Sequence, residues 1–343
     1  MRKVVLSAIE RGKAEKNGFL AVSRKVKLEE LFEEKISIEI DGWPIAELFD
    51  LTQGVTWGGD GCEEIYVVGK DIASSLESDL VYRTIGGRDI SANRIDWKEE
   101  YLVFPYIKVS SKWIPAFRLA SLGGDDALDF SIPVSDYEKG KDTPSKLKYR
   151  TAKNLVKYPK VANYLTRYFD KLEQREFEGK RLSQYNKSWY EYHRPRTPEL
   201  IAKPKIVCKR VMKEPAFALD KTGYLPRDSV ISMIPKKKME ELRDNLEKVL
   251  HDKVTTVQTL KYSLTFLNSE LFQEALSQRR SKKRGGYPIV DERLLEKFSI
   301  PRIKAKDTHS AKKILAGKSE DINLRGLYRP LNNPQAKLAP YNE

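Results

Sequence analysis

The sequence predicts an α+β chain with a helical C-terminal part and an irregular tail. Two patterns carry this. Short runs that alternate apolar and polar residues, or stay apolar throughout, read as strands closed by Gly and Asp turn signals; ISIEI at 36–40 and the segments Phe217–Leu219 and Ser229–Ile234 are the clearest. Segments with apolar residues at i, i+3, i+4 and i+7, near 158–180, 237–250 and 255–278, read as amphipathic helices. A chain of 343 residues has enough apolar surface for one large core or two ordinary ones.

In chain order, SRKVKLEELFEEK at 23–35 reads as a short helix, ISIEI as a strand, and the following DGW as a turn. PIAELFDL then reads as a short helix or strand entering a glycine-rich loop, Gly54 to Gly61, with a strand at Ile65–Val68 beyond it. Such a loop suits a hairpin that needs positive φ; as a phosphate cradle it lacks the Lys and Ser/Thr of a nucleotide loop. Gly86–Gly87 predicts a turn, Arg88–Asp89 an exposed pair, and Tyr101–Phe104 a strand. SLGGDDALDF at 121–130 reads as a solvated turn, its aspartates lacking calcium-loop spacing.

Farther on, the segment from Tyr158 to Lys180 predicts one long helix, on which Lys171 and Arg175 share a side that could lie along phosphates. Residues 217–234 predict a hairpin turning at Asp220–Gly223. A helix over 237–250 and a helical pair over 255–278 follow, the pair broken near 267–269, where Ser269 can cap the second member. RRSKKR at 279–284 is a basic tip, and periodicity fades from about Lys304. The domain reading is therefore an N-terminal segment 1–44, a main body 45–303 and a tail or arm 304–343.

Charge is distributed unevenly. Residues 1–140 hold 18 Lys and Arg against 25 Asp and Glu, whereas 141–343 hold 45 against 24. A strongly basic second part calls for a polyanion, and RNA, duplex DNA or an anionic membrane surface would each satisfy it. Apolar runs are too short for a membrane span, and the charged N-terminus is unlike a secretory signal, so no membrane association is expected. Two cysteines, Cys62 and Cys208, with three scattered histidines supply no disulfide framework and no four-ligand metal site; a cytoplasmic protein is expected.

The basic excess concentrates in YNKSWYEYHRPRTPELIAKPKIVCKR, residues 185–210. Lys187, Arg194, Arg196, Lys203, Lys205, Lys209 and Arg210 are interleaved with Tyr185, Trp189, Tyr190 and Tyr192. Cations attract phosphate and aromatic planes stack on bases, so the mixture suits a nucleic-acid surface. It suits equally a solvated basic loop that leads into a core strand at Ile206–Val207.

Catalytic motifs are missing. There is no Gly-x-Ser-x-Gly or HExxH, and KPKIVCK has lysines without the acidic partners of a nuclease strand. His251-Asp-Lys253 opens like a phospholipase-D-type nuclease motif, but Gln258 stands where an aspartate is required. A methyltransferase's glycine-rich cofactor loop is also lacking, and Asn333-Pro334-Gln335 is the nearest approach to its base-binding motif. The chain reads as a binder.

Several separated phrases then resemble one family in its own order: QGVTWGGDGCEEIYVV, GGRDI with YLVFPY, YLTRYFDKLEQR, WYEYHRPR, KPKIVCKR, FALDKTGY and TFLNSEL, closed by LLEKFSIPRI. They resemble the TaqI-like C-terminal specificity domain, the target-recognition part of adenine-specific DNA methyltransferases and type IIG restriction–modification enzymes. The resemblance spans residues 45 to 303. It implies a mixed α/β module that recognises double-stranded DNA by sequence for restriction–modification or phage defence. It also implies a separate DNA methyltransferase subunit, with or without nuclease activity, that would carry S-adenosylmethionine, leaving no cofactor, metal or catalytic residue on this chain. Trp189, Tyr190, His193, Arg194 and Arg196 match the aromatic–basic motif, Lys203 and Lys205 the PKI motif, and Arg88 and Asp89 the GRDI turn, which is equally open to a structural role. Arg175, Lys187, Lys209, Arg210, Arg279, Arg280, Lys282, Lys283 and Arg284 complete the expected DNA-binding set. A stand-alone metal-dependent nuclease and an RNA-binding protein are the alternatives.

Overall fold

The computed structural model describes residues 42–109, 112–116, 158–185, 187–214, 216–279, 289–303 and 308–315. Helices and sheets are both present, as the α+β reading expects. Two four-stranded sheets form the body. In the first, the strands run in the order Phe217–Asp220, Lys205–Lys209, Val230–Pro235, Phe49–Gln53, with every pair antiparallel. Its two middle strands read KIVCK and VISMIP because neighbours cover both their faces, which favours near-continuous apolar residues over alternation. Val207 sits opposite Ala218 on one side and Ser232 on the other.

This arrangement corrects the expected hairpin over 217–234. The strand Lys205–Lys209 is inserted between its two arms. After Phe217–Asp220 the chain leaves for the second sheet, where Leu225–Pro226 pairs parallel with Val81–Ile85, before returning as Val230–Pro235. Local turn chemistry located the bend; the partner of each arm was decided by which apolar strand could be buried between them. The second sheet runs Leu225–Pro226, Val81–Ile85, Tyr101–Val103, Val67–Val68. Its face carries an extensive apolar cluster, including Tyr66, Leu80, Leu102, Phe104, Tyr106 and Tyr192.

Other expectations changed too. Tyr158–Lys180 is two short helices, Pro159–Thr166 and Phe169–Glu173, followed by a hairpin pairing Glu176–Phe177 with Lys180–Arg181. Glu178 and Gly179 both adopt positive φ (51° and 75°), the conformation of a two-residue hairpin turn, and this ends the helical run. Gly42–Pro44, expected as a turn, is a strand antiparallel to Ser299–Pro301; a Cβ on Gly42 would lie 2.1 Å from the Ile300 carbonyl oxygen. Residues Glu63–Tyr66 are helical, so the strand expected from Ile65 begins only at Val67.

The C-terminal helices follow the sequence closely. Met239–Leu250 buries Met239, Leu242, Leu246, Val249 and Leu250. Thr256–Leu267 opens with a capping box between Thr255 and Gln258, and Ser269 Oγ accepts from the Phe272 N–H at the start of Glu270–Arg279. The expected irregular tail includes a helix, Thr308–Leu315, with Thr308 Oγ1 donating to the Val249 carbonyl. The readings at 23–35, 36–40 and 121–130 lie outside the described residues.

One buried ion pair secures the turn between the sheets. Lys205 Nζ, fully buried, donates to Asp220 Oδ2 (2.5 Å) and to the carbonyls of Ala202 and Tyr224 (both 3.1 Å). Asp220 also accepts from the backbone N–H groups of Thr222, Gly223 and Tyr224. Burial lowers the Lys205 pKa, and the Asp220 charge opposes that shift. Asp220→Ala would leave a buried ammonium without its counter-charge and is expected to lose about 3–5 kcal/mol of stability. Denaturant unfolding checks this, and a loss under about 1 kcal/mol would contradict it.

Candidate nucleic-acid interface

The aromatic–basic stretch folds inward. Arg175 is only 3% exposed. Its Nε donates to the Leu172 carbonyl, Nη1 to that of Trp57, and Nη2 to those of Trp189 and Glu191, all at 2.7–2.9 Å. It also lies 5.3 Å from the Tyr66 ring centroid. These contacts correct the expectation that Arg175 follows phosphates: its donors hold three chain segments together. Gly59 (φ 83°) permits the close approach, since a Cβ there would sit 2.9 Å from the Arg175 side chain.

Trp189 and Tyr190 are likewise core residues (6% and 0% exposed), and neither presents a face on which a base could stack. The Tyr192 hydroxyl donates to the Val103 carbonyl, and its backbone N–H donates to the Tyr106 hydroxyl oxygen. Burial pushes the neighbouring Tyr66 hydroxyl up to about 12. Lys205 is removed from the interface by its pairing with Asp220. Lys187 is half-buried, 3.8 Å from the buried Glu191 carboxylate.

The chain surfaces immediately afterwards. Thr56 and Arg194 form an antiparallel backbone bridge that ties this exit to the glycine-rich loop. His193 stacks on Phe177 at 3.8 Å, and burial, then the Arg194 charge, lower its pKa. Arg194 is exposed, its guanidinium 5.4 Å from the Phe177 centroid. Arg196, half-buried at φ 62°, donates to the Gly54 carbonyl and to Gln53 Oε1. Lys203 is exposed just before a cis Pro204. Lys209 and Arg210 close the central strand, with the Arg210 N–H donating to the Ser229 carbonyl.

Beside these residues lies a cleft of about 660 Å³. Arg88 and Lys209, both anticipated, line it together with Lys98. Asp89, anticipated with Arg88 in the GRDI turn, lines it as well, whereas Trp57, Glu63, Glu100, Val211, Arg227, Asp228 and Ser229 were not anticipated. Arg227 forms its base, with Nη1 3.0 Å from Glu63 and Nη2 3.2 Å from Asp89 and 2.7 Å from Glu100. Asp89 also accepts the Gly86 N–H at 2.6 Å. The GRDI turn is therefore both structural, through Asp89, and outward-facing, through Arg88. The LPRDS phrase held a matching Arg-Asp signal, but pairing it with GRDI required the parallel strand contact between Leu225–Pro226 and Val81–Ile85.

Arg279 ends a described helix, but its side chain and residues Arg280, Lys282, Lys283 and Arg284 lie outside the described set. Among the described residues no three His, Cys, Asp or Glu side chains gather as a metal site, and no helix is long and apolar enough to cross a membrane.

Arg175→Met would orphan buried carbonyls and is expected to cost on the order of 3 kcal/mol. It should leave the salt dependence of nucleic-acid binding unchanged. Thermal unfolding with a salt series checks both; unchanged stability with a flatter salt slope would return Arg175 to the interface.

Residues 82–300 match the family model described as the TaqI-like C-terminal specificity domain. Among solved structures, the chain is similar to the type IIG restriction endonuclease BpuSI, at 11% identity and a TM-score of 0.38, covering 83% of this chain and 27% of that one. It is also similar to the type IIL restriction–modification enzyme MmeI in complex with DNA, at 10% identity and a TM-score of 0.40, covering 89% and 33%. The chain thus spans a third or less of the length of either enzyme. With the family model matching well over half of its residues, the chain belongs to the TaqI-like C-terminal specificity domain family.

Proposed function

We propose that this chain recognises duplex DNA by sequence for a restriction–modification system, holding the site for adenine methylation by a catalytic subunit on a separate chain. Family membership supports DNA target recognition. The observation that carries the reading further is the separation of cations. Those that brace the fold are buried, whereas Arg88 and Lys209 line one cleft and Arg194 and Lys203 are exposed. Phosphate contacts from these groups would fix register, and base edges entering the cleft would supply discrimination.

In this reading S-adenosylmethionine and the chemistry on the flipped base belong to the partner. This chain's part is to keep the duplex in place while a few kcal/mol of unstacking is met elsewhere. Cys62 and Cys208 are free, buried thiols, in keeping with a reducing cytoplasm.

Arg194→Glu combined with Lys209→Glu tests the interface. Removing one cation from its phosphate should reduce the slope of log affinity against log salt by about 0.9. Both side chains lack the buried bonds of Arg175, so stability should change by no more than about 0.5 kcal/mol. Binding titrations over a salt series decide; unaltered affinity and slope in the folded double variant would remove this face from DNA. Methylation of a plasmid only when the chain is added to a candidate methyltransferase would support the separate-subunit arrangement, and methylation independent of the chain would refute it.

A further inference from the structure

We propose that Asp228 reads a base: its carboxylate accepts the exocyclic amino group of a cytosine in the major groove, making one position of the target a C. This rests on the reading of the chain as a DNA-recognition module.

Three of the four carboxylates lining the cleft are engaged, since Glu63, Asp89 and Glu100 all pair with Arg227. Asp228 makes no ion pair among the described residues. Arg210 attracts it without reaching pairing distance. Burial, which is the largest influence, raises its pKa.

The backbone that carries it is fixed on every side. Gln53 Nε2 donates to the Asp228 carbonyl at 2.7 Å, and the Arg227 N–H donates to the Ile85 carbonyl. Ser229 accepts the Gly87 N–H on its hydroxyl oxygen and the Arg210 N–H on its carbonyl. A partly desolvated carboxylate held this firmly, beside the cations Arg88 and Lys209, is poised for a donor.

Duplex DNA presents few donors. A carboxylate near the phosphates is repelled unless a base supplies a hydrogen-bond donor. In the major groove guanine presents the acceptors O6 and N7, and thymine the acceptor O4, so both oppose it. Adenine has the N6 donor, but beside it the N7 acceptor. Cytosine presents the N4 donor with no acceptor on its own major-groove edge and is therefore preferred. Val211, 39% exposed in the same cleft, offers an apolar contact to the cytosine ring edge.

The test is selection from a random duplex pool with the full chain as wild type, Asp228→Asn and Asp228→Ala, each checked for an unchanged unfolding midpoint. Asp228→Asn keeps the shape and secures the comparison if the alanine variant is unstable. The expected result is a wild-type site with one invariant C, a preference reduced about 5- to 150-fold at that position alone in Asp228→Ala, and a shift toward A in Asp228→Asn. The salt slope should not fall in either variant. An identical site in all three proteins overturns the assignment of Asp228 and leaves DNA recognition standing. Failure of the wild type to enrich any site overturns the recognition reading itself.

Discussion

The cleft depends on the burial of Arg227 among three carboxylates. A guanidinium that is 10% exposed must have its charge met, and Glu63, Asp89 and Glu100 do this at Nη1 and Nη2 from three separate segments. Their convergence joins the helix Glu63–Tyr66, the Gly86–Asp89 turn and the loop before Tyr101–Val103 to the connection between Leu225–Pro226 of the second sheet and Val230–Pro235 of the first. Gly86 is required for it, because a Cβ there would sit 2.5 Å from Arg227 Nη2. Arg88 projects outward because its neighbour Asp89 is held inward, and Asp228 takes its position because its neighbour Arg227 is anchored.

Arg175 plays a corresponding part beside Tyr66 of the aromatic cluster, bonding carbonyls at 57, 172, 189 and 191. Together with Lys205 it shows why a basic sequence is an ambiguous sign of nucleic-acid binding. A buried cation is tolerated only when carbonyls or carboxylates surround it, and such a group has no donor left for phosphate. The protein thus separates its cations by burial: one set makes the scaffold rigid and the other, carried on that scaffold, remains free to meet a polyanion.

Much of the fold was legible because the helices and buried strands carry strong local patterns. The capping residues Thr255 and Ser269 and the apolar stripe of Met239–Leu250 follow directly from side-chain chemistry. Strand partners were not legible, since VISMIP and FALD each read as a core strand but nothing in them states that KIVCK lies between. The interface was legible in part. In WYEYHRPR the aromatics pack into the core and only the distal arginines reach the surface, because burial depends on what packs above a segment. Asp228 was legible only as half of the Arg-Asp phrase in LPRDS; its place comes from a cleft assembled by residues more than a hundred positions apart.

The most direct test of the account is selection of a random duplex DNA pool by the purified full chain across a salt series. The account predicts enrichment of one short site that persists as salt rises, because base-edge contacts discriminate in addition to the phosphate contribution. Binding that vanishes with salt while enriching no sequence would contradict it and leave a basic protein with no power to read DNA.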